Sequence, residues 1–328
     1  MSVIAVTGTG SLFGQAIIKS IKSSPFKNNT LVGIDYFSDT VGSYWVDANF
    51  VLPDILDDNI TDSMWLDNIL SIIQENKVEV IFIGVDFELP LFAKYKNHIE
   101  STTSCIVIVS DEKTVSIADD KYLTYKFLES NNFSHPLTFL KSEIDDALDA
   151  KKIHFPLIVK PRKGFRSVDV YLVNDRAKLH DRMNSIENPI IQEYIGNEQT
   201  EYTCGVIAFN GNVKQSIALK RSLKDGNTNT TYLSHKFPIV IKDYIENVSK
   251  KLNHFGVCNF QLRIDEGVPK IFEINARHSG TTYIRSIYGF NEIEYILEYL
   301  LHKREIDFKI KEGIVKRYFD EFFVEYEE

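Results

Sequence analysis

The chain has 328 residues, 44% hydrophobic and 25% charged, with a formal net charge of −9. That length supports two or three domains with sizeable cores. The acidic balance argues against a surface that grips nucleic acid or anionic membrane without specificity, because both need a basic face. Cys105, Cys204 and Cys258 are widely spaced and form neither a metal spacing nor a disulfide framework, which points to a reducing cytosol. No apolar run approaches the roughly 20 residues of a membrane span. The apolar start, Val3-Ile4-Ala5-Val6, lacks the basic lead of a signal peptide.

Residues 1 to about 112 alternate strand and helix signals. A strand over 3–6 is followed by the turn Gly8-Thr9-Gly10-Ser11 and an amphipathic helix over 12–21. A second strand spans 31–35, a helix runs from about 62 to 76, and strands over 78–83 and 105–109 flank another short helix. The alternation predicts a parallel, doubly wound sheet. Gly8, Gly10 and Gly14 give G-x-G-x-x-x-G, and Asp35 ends the second strand, as in a dinucleotide fingerprint. The spacing holds one residue more than G-x-G-x-x-G. A backbone turn or an anion site at a helix N-terminus is therefore favoured over NAD. Asp86 and Glu88 follow a strand's C-terminal end, where open α/β sheets bind ligands. Asp86 equally suits a helix cap.

From Asp111 the pattern changes. Asp119-Asp120-Lys121 opens a helix running to about Asn131. A strand over 155–162 carries Lys160, then come the turn Lys163-Gly164-Phe165-Arg166-Ser167 and a returning strand over 168–173. Such a hairpin is either a solvated basic tip or a flap closing over phosphates, with Lys160 as the point charge. After a helix over 175–185, the segment 189–196 reads as a strand that breaks at Tyr194-Ile195. The break leaves an N–H and a C=O that an adenine edge can pair with, and places Ile195 against its face. Glu201, at the start of a long strand, is a fair partner for ribose hydroxyls. Asn210-Gly211 marks a hairpin turn, residues 225–231 read as a polar loop, and 239–253 as an amphipathic helix.

The most informative stretch is 270–280. Its alternation puts Glu273, Asn275 and Arg277 on one strand face. The preceding strand, 259–264, turns back through 265–269, so Gln261 and Glu273 face each other across a hairpin. Hard oxygen ligands beside an arginine suit Mg²⁺ that also holds phosphate oxygens. A solvated face with an ordinary ion pair is the alternative. Arg285 is either a clamp for a substrate carboxylate or a surface arginine on a short helix. A helix over 291–301 and an alternating strand over 321–326 close the chain.

In this order the segments resemble the ATP-grasp superfamily, and within it the carbamoyl-phosphate-synthase-like branch with its stand-alone carboxylate–amine ligases. Residues 8–15 and 85–88 resemble the N-terminal preATP-grasp domain. Asp120-Lys121, Lys160-Pro161-Arg162, Gln192-Glu193-Tyr194-Ile195, Glu201-Tyr202-Thr203, Asn259-Phe260-Gln261 and Phe272-Glu273-Ile274-Asn275-Ala276-Arg277 resemble the ATP-grasp core. The resemblance implies an α/β chain with a doubly wound preATP-grasp domain over 1–112. A two-lobed α+β ATP-grasp domain follows, its small lobe over 113–188 carrying the flap and its large lobe over 189–328 the metal site.

It further implies that Lys121 and Lys160 touch ATP phosphates, that Glu193 and Ile195 sit at adenine, and that Glu201 sits at ribose. Gln261, Glu273 and Asn275 would hold one or two Mg²⁺, with Mn²⁺ as an accepted substitute. Arg277 would stabilise the phosphoryl-transfer transition state. Asp86, Glu88 and Arg285 are candidates for the acceptor. The flap departs from the family in keeping only Gly164, with Arg166 and Asp169 where glycines often stand. The implied activity is a cytoplasmic ligase for a small-molecule carboxylate and amine, with a homodimer compatible with the branch. A phosphotransferase on the same site is the first alternative, and an NAD-linked oxidoreductase the second.

Overall fold

The computed structural model describes residues 2–164 and 168–325. The chain divides into two compact units, one formed by Met1–Val109 with Arg277–Glu328 and the other by Ser110–Ala276. Residues 277–328, more than a third of the predicted large lobe over 189–328, cluster with the N-terminal segment in this division.

The first unit opens with β1 (Val3–Thr7), α1 (Leu12–Lys22), β2 (Thr30–Asp35), β3 (Ala48–Val51), α2 (Asp62–Asn76), β4 (Val80–Phe82), α3 (Leu89–Thr103) and β5 (Ile106–Ile108). The strands lie in the order β3-β2-β1-β4-β5, all parallel. The expected doubly wound sheet is therefore present, although the helix before β5 is a full 15 residues. At the β1–α1 turn Gly8 has φ +55°, and a Cβ on Gly14 would stand 2.1 Å from the Gly8 carbonyl oxygen. Asp35 accepts from Thr9 Oγ1 at 2.9 Å and from the Gly10 N–H at 2.7 Å. The glycines and Asp35 thus brace one tight strand–helix turn, which is the backbone-turn reading.

The second unit begins with α4 (Glu112–Asp119), α5 (Lys121–Ser130), β6 (Thr138–Leu140), α6 (Ile144–Asp149), β7 (Leu157–Pro161), β8 (Tyr171–Val173), α7 (Arg176–Ser185) and β9 (Pro189–Glu193). Its first sheet is antiparallel, in the order β6-β9-β7-β8. The returning flap strand begins at Tyr171 and not at 168. Phe165, Arg166 and Ser167, which the flap reading includes, lie outside the described residues. The chain continues through β10 (Glu201–Phe209), β11 (Asn212–Lys224), β12 (Asn227–Leu233), α8 (Ile239–Leu252), β13 (Phe255–Asp265) and β14 (Val268–Asn275). These strands run in the order β14-β13-β10-β11-β12, and neighbours pair antiparallel.

One sequence expectation fails here. Residues 225–231 are not a polar loop: β11 and β12 form a hairpin turning at Asp225 (φ 50°) and Gly226 (φ 73°). Thr228, Thr230 and Thr231 are polar by composition but β-branched, and they sit buried in the sheet.

The core of this unit lies between α8 and the sheet. Ile241, Ile245, Val248 and Leu252 form one stripe along α8 and pack with Cys204, Val206, Cys258, Phe260 and Leu262. Each such side chain contributes about 1.5–3 kcal/mol by leaving water. β10 is buried at all nine positions, so it is the fixed element of the sheet. All three cysteines are buried and none is in a disulfide.

The chain then returns to the first unit as α9 (Thr282–Ile287), α10 (Glu292–His302) and β15 (Gly313–Lys316). The predicted strand over 321–326 is not formed across 321–325, and Tyr326 lies outside the described residues. Its aromatic alternation finds no core: Phe323 is 87% exposed. No helix among the described residues is long and apolar enough to cross a membrane.

His254, fully buried beside α8, has Nε2 2.7 Å from Ser249 Oγ. Burial pushes its imidazole from 6.5 down to about 3. The unfolded chain binds that proton below pH 6.5 whereas the folded chain does so only near pH 3. Stability should therefore fall as pH drops through this window, by at most about 1.4 kcal/mol per pH unit. Urea unfolding across pH 6.5 to 3 should give a shallower acid slope for His254→Gln, which keeps a hydrogen-bonding group and loses the titration.

Candidate functional site

Between the two sheets of the second unit lies a cavity of about 200 Å³, lined by residues of β7, β9, β10, β11, β13 and β14. It brings together Lys121, Lys160, Glu193, Ile195, Glu201, Gln261 and Glu273, seven of the residues singled out from sequence. Asn275 lies two residues beyond Glu273 on β14, its Nδ2 3.2 Å from Glu273 Oε1.

Lys160 enters from β7 and is buried. Its Nζ lies 2.8 Å from Gln192 Oε1 and 5.6 Å from the Phe272 ring centroid. Burial pushes its ammonium down to about 7, Lys121 adds to the depression, and Glu273 opposes it. Lys121 starts α5 behind the Asp120 cap, which accepts from the Tyr122 and Leu123 N–H groups. Lys121 Nζ donates to the Gly164 carbonyl at 3.0 Å, tying it to the start of the flap.

The break after β9 sits where the sequence places it. Glu193 turns its carboxylate back to the Leu137 N–H at 3.0 Å and toward Lys270 at 3.7 Å. The Gly196 N–H donates to Asp265. Tyr194 and the buried Ile195 then face the cavity, with Arg263 Nη1 held by the Ile195 carbonyl at 3.2 Å. Glu201 is buried between two guanidiniums: Arg221 donates to Oε1 at 2.9 and 2.7 Å, and Arg263 to Oε2 at 3.0 Å.

Gln261 and Glu273 are direct partners across the β13–β14 ladder, as their facing positions in sequence predict. The three oxygen-bearing groups Gln261, Glu273 and Asn275 provide one carboxylate and two amides. No group of three His, Cys, Asp or Glu side chains poised for a metal occurs among the described residues. The donor set therefore fits a hard divalent cation that takes most of its ligands from phosphate oxygens and water, as Mg²⁺ does. It does not fit a soft or tightly caged metal.

The remaining sequence candidates belong to the first unit. Strand β14 ends at Asn275, so Arg277 is not a further residue of that strand face. Arg277 pairs with Asp86 through Nε–Oδ1, and Nη2 lies 3.2 Å from Oδ2, over the Phe13 ring. Asp86 thus acts as an ion-pair partner.

Glu88 is fully buried, accepts from Thr7 and from Tyr36 at 2.8 Å, and is pushed up to about 7 by burial. It braces β1 and cannot present its carboxylate to a substrate. Arg285 is neither a surface arginine nor a free clamp. It is fully buried, donating to Glu292 Oε2 at 2.6 Å and Oε1 at 2.9 Å, and that carboxylate also accepts from His278 Nδ1 at 2.9 Å.

Sequence reasoning gave no role to Arg221, Arg263 or Phe272, all of which line the cavity. Register could have supplied the signal. Glu201 and Arg263 are cross-strand partners, and Arg221 follows Lys220, which pairs with Tyr202.

A direct check follows from Lys160. At pH 7 burial leaves Lys160 only about half protonated in the folded chain, whereas in the unfolded chain it stays protonated up to about 10.5. Lys160→Met should raise unfolding stability at pH 7 by about 1–2 kcal/mol while weakening anion binding in the cavity. The gain should shrink as pH rises above 7 and vanish above 10.5, where the unfolded lysine also sheds its proton.

Two family models match: "RimK-like ATP-grasp domain" over residues 118–235, and "ATP-grasp in the biosynthetic pathway with Ter operon" over 185–322. The carbamoyl phosphate synthase large chain of Thermoanaerobacter sp. (strain X514) is 26% identical over 223 residues, 63% of this chain and 21% of that protein. The chain thus spans about a fifth of the length of that relative. The D-alanine–D-alanine ligase of Bacillus anthracis (strain CDC 684 / NRRL 3495) is 25% identical over 234 residues, 63% of this chain and 75% of the relative. Among solved structures, an L-amino acid ligase from Bacillus licheniformis superposes with a TM-score of 0.69 at 17% identity, covering 92% of this chain and 74% of that one. Two ATP-grasp models thus match the chain between residues 118 and 322 and take in every residue that lines the cavity.

Proposed function

We propose that the protein is an ATP-dependent ligase that joins a small-molecule carboxylate to an amine through an acyl phosphate, releasing ADP and phosphate. The observation that carries this reading is one cavity lined by two lysines, the strand break at Tyr194 and Ile195, a ribose-suited carboxylate, and paired metal-suited oxygens. The relatives named as ligases support the reaction class.

Lys121 and Lys160 would hold the phosphates. Tyr194 and Ile195 would flank the base, and Glu201 would accept from the ribose hydroxyls. Gln261, Glu273 and Asn275 would hold Mg²⁺, which supplies charge neutralisation at the transferred phosphoryl group. The acceptor carboxylate oxygen bonds to the γ-phosphorus as the bond to ADP breaks, a step governed by positioning and electrostatics. The amine then bonds to the acyl carbon, phosphate leaves with the bonding pair, and the amine loses a proton. Arg277, two residues past Asn275 in the chain, is the proposed partner of the charge that develops in transfer. The cytosol is the proposed compartment, and small metabolites the proposed partners.

Phosphorus NMR with Mg-ATP and pooled carboxylates and amines tests the reaction. ADP and free phosphate only when both pools are present is the expected result, and AMP with pyrophosphate would overturn it. A stable new phosphorus resonance would transfer the assignment to a kinase. Glu273→Gln should lower kcat/KM by about 10²–10³-fold or more, the scale of losing a group that stabilises the transition state. Lys160 adds a pH signature. Its ammonium is held near 7 in the free chain, and a phosphate would raise that value. ATP affinity should therefore fall as pH rises above 7, by up to about tenfold per unit. Calorimetry in buffers of different ionisation enthalpy should detect proton uptake at pH 8 that Lys160→Met abolishes.

A further inference from the structure

Arg221 occupies an unusual position in the cavity. Its Nη2 donates to Glu201 Oε1 at 2.7 Å and also to Gln261 Oε1 at 2.7 Å. A glutamine amide has one oxygen, so the atom that could ligate a cation is the atom this guanidinium already engages. Arg221 is itself buried, in a cavity where Lys121, Lys160 and Arg263 also lie and where Glu201 is shared by two arginines. We propose that Arg221 stands in for the divalent cation in the nucleotide-free protein, so that it bars free metal from Gln261 and Glu273 and makes metal binding conditional on a polyphosphate. This inference rests on the metal–nucleotide reading above.

The physical argument is charge. A divalent ion at Gln261 would sit beside a guanidinium that cannot be deprotonated, in a cavity of low dielectric. Glu273 alone cannot offset it. A polyphosphate brings several negative charges and offers Arg221 new acceptors, which would free the Gln261 oxygen as the metal arrives. Arg221 is thus a positioning residue that couples two binding events, and coupling of this kind changes affinity by about 5–150-fold.

Equilibrium dialysis with Mn²⁺, read by the electron paramagnetic resonance of the free ion, tests this without any turnover. Wild-type protein without nucleotide should bind Mn²⁺ weakly. Arg221→Met should bind it at least about tenfold more tightly, and adding Gln261→Ala to that variant should remove the gain. Arg221→Lys keeps a cation beside Glu201 but is too short to reach Gln261 as well, and should show a smaller gain. Thermal melting identifies which variants fold, and either folded variant decides the matter. Tight Mn²⁺ binding by the nucleotide-free wild type would overturn the proposal, and so would unchanged affinity in the folded variants. Dialysis of an imido analogue of ATP reports separately on the nucleotide site. Its failure to bind would remove the nucleotide reading while leaving the Mn²⁺ comparison to judge Arg221.

Discussion

The site depends on one interaction, the Glu201 carboxylate held between Arg221 and Arg263. Glu201 opens β10, the strand buried along its whole length, so its position is set by the core and not by a loop. Its two arginines come from the strands on either side, β11 and β13. Three strands are thereby pinned at the cavity edge by charges that water barely reaches. A pair of this kind adds little net stability, because desolvation offsets the attraction, but removing one member leaves a bare buried charge at a cost of about 3–5 kcal/mol. The arrangement therefore fixes geometry more than it adds stability.

Lys160 follows a different logic. Glu201 has charge partners on both sides, whereas the nearest group to Lys160 Nζ is the neutral amide oxygen of Gln192. The chain keeps an ammonium where it is hard to keep charged. Such a group gains most from an anion, since a phosphate would restore the charge that burial disfavours. Phe272 narrows the surroundings further, its ring beneath Lys160 Nζ and its neighbour Glu273 facing Gln261.

Much of this was legible in the sequence wherever a local rule and the core agreed. The β1–α1 turn, α2 with its ends at Asp62 and Asn76, the Asn210-Gly211 turn and the Gln261–Glu273 pairing all follow from periodicity and turn chemistry. The failures share a cause. Residues 225–231 look like a loop because threonine and asparagine are polar, yet their backbone is satisfied by β11 and their methyl groups pack. Residues 321–325 alternate like a strand but have no face to bury. Arg285 and Glu88 read as surface or ligand groups because sequence does not reveal that Glu292, Thr7 and Tyr36 fold in around them. Long-range partners of charged side chains are the part that composition and period cannot supply.

The charged residues of the two units can therefore be sorted by whether their charge is already answered within the fold. Glu292 faces Arg285 and His278, and Arg277 faces Asp86, each at hydrogen-bond distance within the first unit. In the cavity of the second unit, Lys121, Lys160, Arg221 and Arg263 outnumber Glu193, Glu201 and Glu273. Glu193 is directed toward Lys270, outside the cavity lining. What remains is an excess of positive charge beside a single exposed-side carboxylate, Glu273. A protein of net charge −9 that gathers four cations around one cavity offers surroundings that suit an anion richer in charge than a carboxylate. A polyphosphate with its own divalent ion meets that description, because the ion alone would be repelled and the polyphosphate alone would crowd Glu273.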